Sequence, residues 1–258
     1  MLEYIVICLF ALLASGLTFF SGFGLGTILL PVFALFFPLD ISIALVAIVH
    51  FLNNLFKLSL IGRKADKKVV LKFGVPAILA AFAGAYLLTI LSETEALTSY
   101  TLAEKTFYIT PLKLIIALLL FIFALFDIVP KLMKLNFDPK YLPLGGVLSG
   151  FFGGLSGHQG ALRTAFLIRA GLTKEVFIGT GIMISVFIDI SRLTVYAADI
   201  LKIRSEIDYS LLIAATLSAF VGAAVGNKIL KKITIGTLHR AVGIMLLLFS
   251  VLLAAGIV

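Results

Sequence analysis

Polar positions are scarce along this chain, and they divide it into long apolar runs. From Met1 to Ile61 the formal charges are Glu3, Asp40 and Lys57 alone. Continuous apolar runs of this length predict helices rather than alternating strands. Glu3 to about Phe20 predicts a first helix, close to the ~20 residues that cross a bilayer core. The stretch Ser21-Gly22-Phe23-Gly24-Leu25-Gly26-Thr27 interrupts it. A short apolar segment from Thr27 to Phe37 follows, stops at Pro38 and cannot span alone. Asp40 and Ser42 are placed to cap a long third helix that runs to Ile61. Phe73 to Leu91 and Pro111 to Val129 each predict a spanning helix. The first of these carries Ala77, Ala80, Ala81, Ala83, Gly84 and Ala85, small residues suited to close helix packing. Ser92 to Thr110 is polar and acidic and reads as a loop.

The pattern then recurs. Tyr141 to Leu155 predicts a helix, and Ser156-Gly157-His158-Gln159-Gly160-Ala161-Leu162-Arg163 breaks it, preceded by Gly150, Gly153 and Gly154. A glycine costs roughly 1 kcal/mol inside a continuous helix, so these residues read as a deliberate interruption. A short helix from Ala161 to Ala170, a long one from Thr173 to about Ala198, and two more over Tyr209–Ile229 and His239–Val258 complete the chain. Shifting the sequence by 135 positions lays Ser21-Gly22 on Ser156-Gly157, Asp40 on Glu175, Asn54 on Asp189 and Lys57 on Arg192. Ala81-Phe82-Ala83-Gly84-Ala85 falls on Ala219-Phe220-Val221-Gly222-Ala223 after three more residues. Two broken helices in matching positions of two halves point to a transporter binding site.

Composition agrees with the class and charge orients it. Of 258 residues 61% are hydrophobic and 13% charged, against about 25% charged in soluble domains. The expected fold is therefore an all-α polytopic membrane protein, not a barrel, with about eight to ten helical segments. The net charge of +8 sits in short loops and indicates a membrane protein rather than a nucleic-acid partner. The basic segments 63–72, 131–140 and 228–240 are expected on the cytoplasmic side of the cell membrane, and 92–110 and 202–208 outside. The loops at 63–72 and 202–208 hold the same place in the two halves yet fall on opposite sides. Residues 1–130 and 131–258 are thus expected to be two inverted-topology repeats, with both chain termini external. Whether each opening pair crosses or re-enters is left open, since either preserves this parity. The single cysteine, Cys8, excludes an internal disulfide and a cysteine-based metal cluster. Met-Leu-Glu-Tyr has no basic leader, so no cleaved signal peptide is expected.

The candidate chemistry lies on one stripe and at the two breaks. His50, Asn53, Asn54 and Lys57 recur at i, i+3, i+4 and i+7 on one helix face. Ser185, Asp189 and Arg192 form the matching stripe. Ionisable groups at membrane depth face a bundle interior or a watery path. Asp189 reads either as a neutralising partner for Arg192 or, with His50, as a proton carrier; Lys57 either snorkels to the surface or serves the site. Broken helices expose N–H groups and the positive end of a helix dipole, which suits an anion. Ser21, Gly22, Gly24 and Gly26 at the first break, and Ser156, Gly157, His158, Gln159 and Gly160 at the second, are the candidate backbone cradle. Arg163, Arg192 and Lys57 supply countercharge, His158 and Gln159 neutral hydrogen bonds, and Asn54 is a further candidate binding residue. The reading is a permease for a small anion, with a coupling proton and the bilayer as its other partners. An anion channel or an intramembrane enzyme are the alternatives. No metal site is expected, because His50, His158 and His239 share no ligand spacing, and no cofactor is implied.

With these residues in view, the chain resembles the sulfite exporter (TauE/SafE) family of membrane permeases. That family opens each half with a glycine-rich break, here Ser21-Gly22-Phe23-Gly24-Leu25-Gly26 followed by Pro31, and Gly150-Phe151-Phe152-Gly153-Gly154-Leu155-Ser156-Gly157-His158-Gln159-Gly160. The second half departs from the family pattern at His158-Gln159-Gly160 and at Phe166, where a run of three glycines and then a proline are usual. The resemblance implies transport of small sulfur-containing anions such as sulfite, thiosulfate or organosulfonates, linked to the membrane potential or a proton gradient.

Overall fold

Each long apolar run forms a helix. The computed structural model describes all residues except 22–23, 134, 203, 205–206 and 230–234; for residues 20–21, 227–229, 235 and 237–238 it describes the backbone alone. In the first half, α1 spans Leu2–Ser21, α2 Leu25–Ala34, α3 Leu39–Ile61 and α4 Lys67–Ser92. A hairpin of β1 (Thr98–Leu102) and β2 (Lys105–Ile109) precedes α5 (Pro111–Ile128) and the four-residue α6 (Pro130–Met133). In the second half, α7 spans Leu142–Ser156, α8 Gly160–Leu167, α9 Lys174–Lys202, α10 Tyr209–Ile229 and α11 Ile235–Ala254. Among the described residues, six helices (α1, α3, α4, α5, α9 and α10) are long and apolar enough to cross a bilayer.

Two details differ from the sequence reading. The N-cap of α3 is Pro38, with no side-chain cap; Asp40 lies in the first turn, and the Ser42 hydroxyl donates to Phe37 O at 3.2 Å. Proline presets the entry angle, so the chain starts the helix without a polar cap. The acidic segment 92–110 is no plain loop but contains the β1–β2 hairpin, its turn made by Ala103 and Glu104 at positive φ. Gly150, Gly153 and Gly154 lie within the helix, as the sequence reading has them: α7 runs through them to Ser156, and the break falls at Gly157, at φ 79°.

Those glycines serve packing instead. A Cβ on Gly146, Gly150 or Gly154 would come within 2.2, 2.1 and 2.2 Å of the carbonyl oxygens of Phe73, Ala77 and Ala81. Helices α4 and α7 therefore touch backbone to backbone, as small residues permit in lipid. Helix α10 repeats this on α1, where Gly222 and Gly226 sit on Leu12 and Gly16. Fully buried alanines mark the same face of both helices, Ala77, Ala81 and Ala85 on α4 and Ala215, Ala219 and Ala223 on α10. The first helix of each half thus packs on the fourth helix of the other, while α3 meets α9 and α5 meets α11.

Helices α3 and α9 run antiparallel. Lys64, just past the end of α3, pairs with Glu175 in the first turn of α9. At the other end Asp40, Ser92, Glu93 and Lys202 line one pocket. Both ends of the α1–α2 pair lie at this Glu93 end: the Tyr4 hydroxyl donates to Asp208 at 2.5 Å, and Pro38 borders a pocket with Thr94 and Thr110. The α7–α8 pair begins and finishes at the Lys64 end, where Phe137 N–H donates to Ala165 O at 3.1 Å. Each pair is a hairpin that enters the bundle and turns back.

Polarity is inside out. Leu71, Leu79, Ile213, Leu217 and Leu248 are exposed, while His50, Asn53, Asn54, Lys57, Asp189 and Arg192 are buried. A water-soluble fold hides the first group and exposes the second; an apolar solvent reverses the preference.

Candidate functional site

The α3 stripe and the α9 stripe face each other at the centre of the bundle. His50 Nδ1–H donates to Asp189 Oδ2 at 2.7 Å, and Asn54 Nδ2 donates to the same oxygen at 3.1 Å. Arg192 Nε donates to Asp189 Oδ1 at 3.0 Å. Its Nη2 lies 2.8 Å from that oxygen but is not aligned for a hydrogen bond. Asp189 is thus a fully buried carboxylate satisfied from three directions. Asn54 and Asp189, which the 135-residue shift makes equivalent, touch each other directly.

Towards the Lys64 end this knot borders a cavity of ≈ 40 Å³. At one water per roughly 10–15 Å³ of such space, it matches about three waters, the scale of a small oxyanion. Its polar wall is Thr18, His50, Asn54, Lys57, Arg163 and Ser185; Phe19, Leu25, Leu167 and Phe177 close the rest. Lys57 is 4% exposed and does not reach the surface. Its Nζ stands 5.5 Å from the Phe19 ring centroid and 3.2 Å from the Asn53 amide oxygen, when that amide is turned to donate to Ala219 O. Arg163, 7% exposed, donates to Gln159 Oε1 at 3.1 Å and to the Ser185 hydroxyl. Among the described residues, neither cation has a carboxylate within ion-pair distance. Burying an ion without a counterion costs several kcal/mol, and here two such groups share one cavity.

The helix breaks meet beside it. A Cβ on Gly24 would sit 3.3 Å from His50 Nε2, and one on Gly26 would sit 3.9 Å from Gly157 O. Gly157 is constrained twice, by its left-handed backbone and by Arg192 Nη1, 2.7 Å from where a Cβ would stand. Ser156 Oγ donates back to Phe152 O at 3.0 Å. Gln159 is buried with Nε2 unpartnered, and Thr18 Oγ1 is likewise unpartnered. His158 and Gly160 do not line the Lys57 and Arg163 cavity; they border a second, smaller one on the other side of the α7–α8 tip. Arg192 faces Gly157 and Asp189 rather than the cavity. Gly22 and the Ser21 side chain lie outside the described residues.

The sulfite exporter TauE/SafE family model matches residues 7–253, nearly the whole chain. The protein belongs to this family. It is accordingly a multi-pass protein of a membrane-transporter family. No curated protein and no solved structure matches the chain. Residues 7–253 include Gly24, Gly26 and Gly157, the described glycines that meet at the centre of the bundle. Thr18, Phe19 and Ser185 complete the cavity without having been among the candidate site residues. Ser185 was already on the α9 stripe, one turn before Asp189; Thr18 was not singled out, although Ser15, Thr18 and Ser21 recur every three residues along α1, and Phe19 is one of many apolar residues there.

Proposed function

We propose that the protein is a secondary transporter of a small oxyanion, sulfite, thiosulfate or an organosulfonate, rather than an enzyme. One observation carries this reading: Lys57 and Arg163 are buried on one small cavity with no carboxylate partner among the described residues. A unit pair at ~4 Å attracts by about 4 kcal/mol at an effective dielectric near 20, so an anion there would supply the missing countercharge. Asn54 and Thr18 would donate to its oxygens, while Ser185, whose hydroxyl donates to Gly181 O, holds Arg163 in place. Asp189 with His50 is the candidate protonation site, and it also holds Arg192 against Gly157.

Transport proceeds by alternating access between inverted repeats 1–130 and 131–258. Support comes from the antiparallel run of α3 and α9, the reciprocal packing of α1 on α10 and α7 on α4, and the Asn54–Asp189 contact. An operation that carries a helix onto an antiparallel neighbour has its axis in the membrane plane. The basic Lys64 end is cytoplasmic, and the Glu93 end, with both termini, is external. The cavity then lies towards the cytoplasm, while a separate pocket of ≈ 190 Å³ lies towards the outside. Tyr196 stands between them, lining that pocket and donating its hydroxyl to Gly154 O. Closure on one side favours a transporter over an open channel.

The test is ligand-induced stabilisation in detergent. Sulfite, thiosulfate, sulfate, a sulfonate and a carboxylate are screened for a rise in unfolding temperature. Arg163→Ala and Lys57→Ala are expected to abolish the rise at a ligand concentration that stabilises the wild type, while remaining folded. An undiminished rise in both variants would remove the site.

A further inference from the structure

The second cavity carries chemistry that the anion site does not use. It measures ≈ 10 Å³ and is bounded by Thr27, Phe123, Asp127, His158, Gly160 and Ala161. That is the space of about one water. His158 is 3% exposed, its ring stacked on Phe123 at 5.7 Å between centroids. Its Nδ1 lies 3.1 Å from Ser156 O. A carbonyl only accepts, so Nδ1 carries the hydrogen and Nε2 keeps the lone pair. Nε2 is buried and has no partner. Across the same cavity stands Asp127, 2% exposed, whose Oδ1 lies 3.1 Å from His239 Nδ1. The His239 side chain is 18% exposed, so this pair links the cavity with the surface.

We propose that His239, Asp127 and His158, joined by one water in this cavity, form a proton path to the tip of the α7–α8 break. The inference rests on the reading of the protein as a proton-coupled anion transporter. A proton on the His239 imidazolium passes to the Asp127 carboxylate, and from there through the water to His158 Nε2, leaving His239 neutral, Asp127 again a carboxylate and His158 as imidazolium. Among the described residues, the charged groups that act on His158 and Asp127 come from α9 and α11. Arg192 of α9 reaches His158 from behind the tip, and His239 of α11 faces Asp127; α2 contributes Thr27, which does not titrate. A charge on His158 adds to the positive polarity of the tip beside Gly157. The proton thereby favours entry of an anion on the opposite face of the same break, and its departure favours release.

The chain has three histidines, so imidazole ¹⁵N spectra resolve each one as pH is varied. Asp127→Asn is expected to displace the titration midpoints of both His158 and His239 by about half a pH unit or more, leaving His50 in place. His239→Gln is expected to move His158 in the same way and guards against a misfolded first variant. An unmoved His158 in both variants overturns the path. In proteoliposomes with sulfite as the probe, Asp127→Asn is expected to lower the ratio of pH-driven accumulation to sulfite exchange at least tenfold, and an unchanged ratio also overturns it. If the wild type exchanges no sulfite, the substrate reading fails while the histidine titrations still decide the path.

Discussion

Asp189 has no access to water, and its charge is met by His50, Asn54 and Arg192 together. Removing one member of such a group strands the others. Asp189→Ala leaves Arg192 as a buried, unpaired cation and is expected to cost about 3–5 kcal/mol. The midpoint of chemical unfolding in detergent measures this. Substitution of Glu175 to alanine, which breaks a pair exposed at 53% and 62%, is expected to cost ~1 kcal/mol or less. Much of this scale was legible beforehand. The i, i+3, i+4, i+7 stripe on α3 and its counterpart on α9 are buried throughout, because an apolar solvent leaves polar groups nowhere else to go. The pairing of His50 with Asp189 was not legible, since it depends on α3 and α9 lying antiparallel in contact. Nor was Asp127: it is the one acid in the α5 run, but its partner His239 lies 112 residues away.

At the scale of elements, the helix breaks and the close contacts turn on different glycines. Sequence composition located the interruption within a few residues, yet charged its cost to Gly150, Gly153 and Gly154. Spacing distinguishes the two roles: Gly146, Gly150 and Gly154 recur every four residues and form a seam, while Gly157, just past them, has a left-handed backbone. Gly150→Leu would drive a side chain into Ala77 O, which cannot move without separating α4 from α7. The expected loss is about 3 kcal/mol or more, read as a drop in thermal stability with α-helical content retained below the transition. Gly236→Ala, where a Cβ meets nothing within 4 Å, is the control and is expected to change stability by ~0.5 kcal/mol or less. The β1–β2 hairpin escaped notice because its short strands alternate weakly and are exposed nearly throughout.

At the scale of the whole molecule, charge bias alone gave an orientation, and the packing of the helices is compatible with it. Lys64, paired with Glu175, and Lys202, beside Glu93, lie at opposite ends of the antiparallel α3 and α9. With Cys8 replaced by serine, single cysteines at Lys67 and Glu95, both exposed, are expected to react with an impermeant reagent from the cytoplasmic and external faces respectively. Reaction of both from one face would refute the topology. The Asn54–Asp189 contact has one more consequence. Were the two halves separate identical chains, this spot would hold either two amides or two carboxylates, the latter repelling each other in a medium with no water to screen them. Under the proposed inverted-repeat reading, a single polypeptide lets each side carry its own residue, so that an acid can stand opposite an amide at the contact.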